Sequence, residues 1–209
     1  MNRYLRCLTL GVALVLTACT TPPLTSPPAS TTVTTAPVSS PTATPTAPTP
    51  SAPDTSATMR VTLYFSNTVL DPGASECSQV YAVHRTIPEA SDVLTATLKE
   101  LLAGPTAAEK AQGYGSWFSA STAQSLLKAR TSANTSYVNL NDIRTVIPNA
   151  STSCGSAALL AQLKTTAQQA AMTPRVLYAI KGQPSTFWEW LQMDCDASND
   201  NCDPTPFAS

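Results

Sequence analysis

The chain has 209 residues, with 12 Lys and Arg against 13 Asp and Glu, for a formal net charge of −1. Only 12% of residues are charged and 6% are aromatic, while 43% are hydrophobic. Basic residues this thinly spread exclude the positive face of a nucleic-acid binder, and the single histidine, His84, excludes a His-rich metal centre.

The N-terminus reads as an address. Arg3 and Arg6 precede an apolar run from Leu8 to Leu16, and small residues follow in Leu16-Thr17-Ala18-Cys19. That order is a secretory signal, and the run is short of the roughly 20 residues a membrane span needs. The closing Leu-Thr-Ala-Cys resembles the bacterial lipobox. The resemblance implies that residues 1–18 are a lipoprotein signal peptide cleaved before Cys19. It also implies diacylglycerol on the Cys19 sulfur and an acyl chain, such as palmitate, on the new amine. Two or more chains anchor stably where one does not. The expected location is the extracytoplasmic face of the cell membrane, with the membrane itself a partner through the lipid. An ordinary secretory peptide or an uncleaved anchor is the plainer alternative.

Cleavage would leave ten basic and thirteen acidic residues, a net charge of −3. Cys7 would leave with the signal and Cys19 would carry lipid. The four remaining cysteines, Cys77, Cys154, Cys195 and Cys202, are an even number in an oxidising compartment and predict two disulfides. Three pairings are open. Cys195 and Cys202 are close and loop-flanked, which favours that pair and leaves Cys77 with Cys154.

Residues 19–58 form a tether. From Thr20 to Thr58 the chain is almost entirely Thr, Pro, Ser and Ala, holding ten of the 18 prolines and one charge, Asp54. With almost nothing to bury, no core offsets the ordering entropy, and a disordered linker is expected. Fully extended at about 3.1 Å per residue it would reach on the order of 120 Å. The composition suits a spacer, and Thr and Ser with Pro also suit an O-glycosylated stalk.

Residues 60–192 carry the folded domain. Arg60 to Phe65 alternates, with Val61, Leu63 and Phe65 on one face of a strand. Asp71-Pro72-Gly73 is a turn, Val80 to Ile87 a second strand, and Pro88 its stop. Ser91 or Asp92 caps a helix whose Leu94, Leu98, Leu101 and Leu102 share a face. Gly104-Pro105 ends it, and Thr106 to Glu109 is a capping box for a further short helix. Gly113 to Phe118 reads as irregular. Ser125 to Arg130 and Ser136 to Leu140 are short strands joined by a hairpin-like Thr131 to Thr135. A second main helix starts at Cys154-Gly155-Ser156, buries Leu159, Leu160, Leu163, Ala167 and Ala170, and stops at Thr173-Pro174. Arg175 to Lys181 is the last strand, followed by Gly182. The order β-β-α-β-β-α-β predicts an α/β (α+β) class, with a mixed sheet of about five strands and two main helices on one face.

Leu101-Leu102-Ala103-Gly104-Pro105-Thr106-Ala107-Ala108-Glu109 resembles the signature of the GerMN domain, the sporulation and spore-germination module. Val61 to Phe65, Val83 to Arg85 and Gly113 to Phe118 match the family's order around it. Tyr137 to Leu140, Ala157 to Ala171 and Val176 to Gly182 match the later strand, helix and closing strand, so the resemblance covers about residues 60–190. Three features depart from the pattern. Trp117-Phe118-Ser119 replaces an Ile-Pro, Val138-Asn139-Leu140 replaces a Val-Asp-Leu, and Cys77 and Cys154 are additions. The resemblance implies an interaction module of sporulation complexes or envelope lipoproteins. It marks Leu102, Gly104, Pro105, Thr106, Glu109, Arg85 and Gly113 as structural or interaction residues.

Chemistry on these residues has plain readings beside it. Gly104-Pro105-Thr106 suffices as helix stop, rigid turn and next cap, with ligand contact the alternative. Arg85 is placed to pair with Glu109 or Glu100 rather than to bind an anion, and His84 faces solvent. Ser125-Leu-Leu-Lys128 fits the Ser-x-x-Lys pattern of penicillin-recognising enzymes, but it lies on a predicted strand where the pair points to opposite faces, and the partner motifs are missing. No Gly-rich phosphate loop is present. Residues 193–209 form a Cys-bounded acidic tail. Its Asp194, Asp196 and Asp200 supply alternate oxygens for calcium, without the central glycine and closing glutamate of an EF-hand loop, so no metal or cofactor is expected. Trp188 and Trp190 share a face if extended, either packed on the core or exposed to a ligand.

The function expected from these readings is a membrane-anchored, non-catalytic module that binds a protein partner in the cell envelope. A cell-wall glycan or small-ligand binder built on Trp188 and Trp190 is the second expectation. An envelope hydrolase ranks last, because carboxylates are sparse between residues 60 and 190.

Overall fold

The computed structural model describes residues 57–195 and 201–208. The signal, Cys19, nearly all of the linker, Asp196 and Asp200 lie outside the described residues. Ten elements follow in chain order. They are β1 (Thr58–Asn67), β2 (Tyr81–Pro88), α1 (Val93–Leu102), α2 (Ala107–Ala111), β3 (Tyr114–Gly115), β4 (Leu126–Ser132), β5 (Thr135–Leu140), α3 (Ser153–Ala171), β6 (Arg175–Ile180) and α4 (Pro184–Trp190). The α+β class and the two main helices, α1 and α3, stand as the sequence predicts.

The strands form two sheets of three, ordered β2-β1-β3 and β4-β5-β6, rather than one mixed sheet of about five. β1 runs antiparallel to β2 from Thr58 opposite Pro88 to Phe65 opposite Tyr81. The two-residue β3 pairs only with Ser66 and Asn67. Along β1, the Tyr64 N–H donates to Thr166 Oγ1 of α3 at 3.1 Å. A helix hydroxyl thus satisfies a strand amide that lies outside the short β3 pairing. In the second sheet β5 lies between antiparallel β4 and parallel β6, and α3 is the crossover that a parallel pair requires.

The core lies where the strand alternation and the leucine stripe converge. Leu63, Phe65, Leu98, Leu101, Leu102, Val138, Leu140, Leu159 and Leu163 are fully buried there. Asp92 caps α1 by accepting from the Thr95 N–H at 3.0 Å, and Thr152 caps α3 by accepting from the Gly155 N–H at 3.0 Å. α3 ends at Met172 in the left-handed conformation, φ 52°. β6 is buried on both faces. Val176, Tyr178 and Ile180 join the main core, while Leu177 and Ala179 meet Phe207 and Tyr137 in a second cluster. The second face is therefore covered by the C-terminal 3-10 turn Thr205–Phe207 rather than by a helix. Arg130 fastens that turn by donating from Nε and Nη2 to the Pro206 carbonyl, at 3.2 and 2.7 Å.

The cysteines pair as Cys77–Cys154 and Cys195–Cys202. The first ties the loop after β1 to the start of α3 across a separation of 77 residues, and the second closes a separation of 7. Loop-closure entropy gives the long bridge about 4 kcal/mol and the short one about 2 kcal/mol. The double variant Cys77→Ser/Cys154→Ser should therefore lose about twice the unfolding free energy lost by Cys195→Ser/Cys202→Ser. Urea unfolding of the two variants measures this, and equal losses would contradict the entropic ranking.

Candidate functional site

The motif residues assemble around one guanidinium. Arg85 on β2 donates from Nε to Glu109 Oε1 at 2.9 Å and from Nη2 to Glu109 Oε2 at 2.6 Å, a two-point contact. Its Nη1 reaches the Glu100 carbonyl at 3.1 Å and Glu100 Oε2 at 3.0 Å. Its Nη2 also donates to the Gly104 carbonyl at 2.8 Å. The Arg85 side chain is 11% exposed, Glu109 13% and Glu100 36%. Both partners that the sequence offered for Arg85 are thus engaged at once.

Gly104 sits at φ +75°, and a Cβ there would run into the Phe118 carbonyl. The position therefore needs glycine on two counts, conformation and space. Thr106 then caps α2, accepting from the Glu109 N–H at 3.2 Å while Glu109 Oε2 accepts from the Thr106 N–H at 2.7 Å. Glu109 serves both the capping box and the ion pair. Burial opposes its ionisation, but hydrogen bonds from Arg85 and the Thr106 N–H outweigh burial and hold its carboxyl below the ordinary value of 4.5. Leu102 is fully buried, and its carbonyl accepts from Thr122 Oγ1 at 2.6 Å.

The node leads directly to a second motif residue. Gly113 follows α2 at φ +89°, and a Cβ there would strike Val69 and Asn67 Oδ1. Its carbonyl accepts from the Thr68 N–H at 3.0 Å. The buried Asn67 donates to the Gln112 carbonyl at 3.1 Å and accepts from the N–H groups of Val69 and Leu70 at 2.8 and 2.9 Å. This asparagine turn presents Val69 and Leu70 to solvent, 68% and 57% exposed. Beside the loop lies a mostly apolar cavity of about 430 Å³, walled by Trp117, the Cys77–Cys154 bridge and Gln162.

Trp188 and Trp190 lie on α4, not on an extended segment, so they do not share a face. Both are half-buried and pack against the core. Trp188 meets Tyr178 and Phe187 edge-on, with centroids 6.2 and 5.4 Å apart, and Trp190 meets Phe187 at 6.1 Å. Next to Trp188 is a second cavity of about 600 Å³ between α3, β6 and α4. His84 is exposed and bonded to Thr62 Oγ1 at 3.1 Å. Ser125 precedes β4 and Lys128 lies within it. Asp194 is exposed, and no group of three His, Cys, Asp or Glu placed to hold a metal occurs among the described residues.

The family model Germane, described as sporulation and spore germination, matches residues 62–186, more than half of the chain. The chain belongs to this family. No curated protein and no solved structure gives a significant match to the chain. The Germane domain begins within β1 and ends within α4, so it contains the Arg85 node, the Asn67 loop and both cavities' α3 walls.

Asn67, Val69, Leu70, Lys164 and Tyr178 were not among the residues singled out from the sequence. Asn67 left a signal, an asparagine between a strand and a turn. Tyr178 left none, since strand alternation marks it only as core.

Removing Arg85 strands two carboxylates and two carbonyls in a partly buried site, so Arg85→Met should cost about 3 kcal/mol. Glu109 stabilises the fold fully above pH 4.5, its ordinary value, and less as pH falls through its lower folded value. Glu109→Gln should flatten the acid limb of the stability profile. Urea midpoints between about pH 6 and pH 2.5 read this out, and an unchanged acid limb would refute the assignment.

Proposed function

We propose that the chain is a lipoprotein anchored by Cys19 to the outer face of the cell membrane, whose Germane domain is a non-catalytic module that binds an envelope protein. The observation that carries this reading is the Asn67 loop. It holds two large aliphatic side chains in water, on a backbone fixed by four hydrogen bonds, three accepted by Asn67 and Gly113 and one donated by Asn67, beside a largely apolar cavity. Pre-ordered apolar groups bind with little further loss of entropy, which suits a contact surface. The carboxylate of the family motif is committed elsewhere: Glu109 is held by Arg85, which also holds Glu100 just before the motif. The signal, the lipobox resemblance and the Thr/Pro linker support display of the domain away from the membrane. No helix among the described residues is long and apolar enough to cross a membrane.

A second reading, a module for a glycan or other small ligand, is favoured by the cavity beside Trp188.

Crosslinking in intact cells tests the first reading, using the full chain, a Cys19→Ala variant and a Val69→Asp/Leu70→Asp variant. Envelope-protein adducts should form with the full chain, fall at least about tenfold with the loop variant while its thermal unfolding stays unchanged, and change identity when the anchor is lost. Adducts indifferent to both changes would overturn the reading.

A further inference from the structure

The cavity between α3, β6 and α4 is unusual in its polar content. Its volume, about 600 Å³, is within the roughly 300–1,000 Å³ typical of ligand pockets. Lys164 and Arg175 line it, and none of its described lining residues is acidic. Tyr178 and Trp188 line it as well, and Tyr178 Oη and Trp188 Nε1 are buried without a hydrogen-bond partner among the described residues. Such orphaned atoms are rare in folded proteins, and each calls for an explanation. Two of them, on separate elements, belong to side chains that line the same cavity.

The charged lining groups only donate, while Ser78, Thr165, Gln168 and Asn201 add neutral oxygens that also accept. A lysine ammonium and an indole N–H only donate, and the tyrosine hydroxyl donates when protonated. Burial raises the Tyr178 hydroxyl above its ordinary pKa, so it keeps its proton at neutral pH. The Gln168 amide nitrogen is already used on the Pro174 carbonyl. A complementary ligand therefore brings acceptor oxygens and negative charge. Leu160, Val176 and the aromatic edges supply an apolar wall, which a bare inorganic anion would leave unfilled.

We propose that this cavity binds a small organic anion, a carboxylate carried on a ring or aliphatic body, with the carboxylate at Lys164 and the two buried donors turning to meet its oxygens on binding. The proposal sharpens the small-ligand reading and rests on it. It does not depend on the Asn67 loop or on the lipid anchor.

The test uses the full-length chain in detergent with ¹⁵N-labelled tryptophan, whose indole signals come from Trp117, Trp188 and Trp190. The probes are N-acetylmuramate, N-acetylglucosamine (the same sugar without the carboxylate arm) and inorganic phosphate, each to about 10 mM. N-acetylmuramate should shift the one indole signal that Trp188→Phe removes. Its affinity should fall about tenfold in Lys164→Met and in Tyr178→Phe. Tyr178→Phe should not lower the unfolding temperature of the free chain, because its hydroxyl has no partner to lose among the described residues. No indole shift with N-acetylmuramate, or an affinity indifferent to Lys164, overturns the proposal. Equal shifts with N-acetylglucosamine overturn the anion but leave the glycan reading standing. Phosphate binding as tightly as N-acetylmuramate overturns the organic body. A lower unfolding temperature in Tyr178→Phe would reveal an internal partner for the hydroxyl and also count against it.

Discussion

One guanidinium holds together three pieces of chain that the sequence encodes separately. Arg85 leaves β2, crosses to the end of α1 through Glu100 and the Gly104 carbonyl, and reaches α2 through Glu109. Removing such charges from water is costly, and only good geometry with every donor engaged offsets it. Here all three guanidinium nitrogens donate, two of them to both oxygens of one carboxylate. The planar fork of arginine makes this possible where the single ammonium of lysine would not. The ring of Phe65 lies 5.8 Å from the same cation, so the ion pair also adjoins the core. The arrangement fixes where α1 stops and where α2 starts, and hence the course of everything up to Gly113.

From there the constraint passes through the backbone. α2 is capped by Gln112, whose carbonyl accepts from Asn67, and Gly113 follows without a Cβ that would strike Val69. A family motif that reads as helix punctuation thereby sets the position of a loop some forty residues earlier in sequence. The loop's exposed side chains and its rigid base arise from the same contacts. Structural and interaction roles of the motif are not alternatives in this geometry, because the residues that end one helix and cap the next also hold the displayed loop.

Local rules read the class and the main elements directly from the sequence. Alternation marks β1 and β6, the leucine stripe marks α1, and Thr106 to Glu109 forms the capping box its spacing implies. The sheet division was not legible: beyond the short β3 pairing, the Tyr64 amide of β1 goes to Thr166, a helix residue 102 positions away in sequence. α4 was not legible either: Trp-Glu-Trp alternates like a strand, while Pro184 in the first turn starts a helix. Ile143, Ile147 and Ala150 are buried at spacings of four and three, as on a helical face, yet the connection forms neither helix nor strand, so the period there points to the wrong element. The second face of β6 depends on Phe207, which reaches it only because the tail folds back under Arg130.

The two cavities and the core are three faces of α3. Leu159, Leu163, Thr166 and Ala167 form its buried stripe. Gly155, Ala158 and Gln162 turn toward the cavity beside the Asn67 loop, at spacings of three and four. Ala157, Ala161, Lys164 and Gln168 turn toward the cavity beside Trp188, again at three and four. Alanine holds a helix together without filling the space beside it, so the small residues of α3 create room on both flanks while the stripe between them packs. Each space then takes its character from its opposite wall. On the loop side that wall is a disulfide and an indole, with Gln162 already bonded to Ser116 and Ser66. On the other side it is β6 and α4, where Tyr178 and Trp188 bury a hydroxyl and an N–H that phenylalanine would have spared. Packing alone accounts for the rings of these two residues but not for their polar atoms, and that difference separates the second cavity from the first.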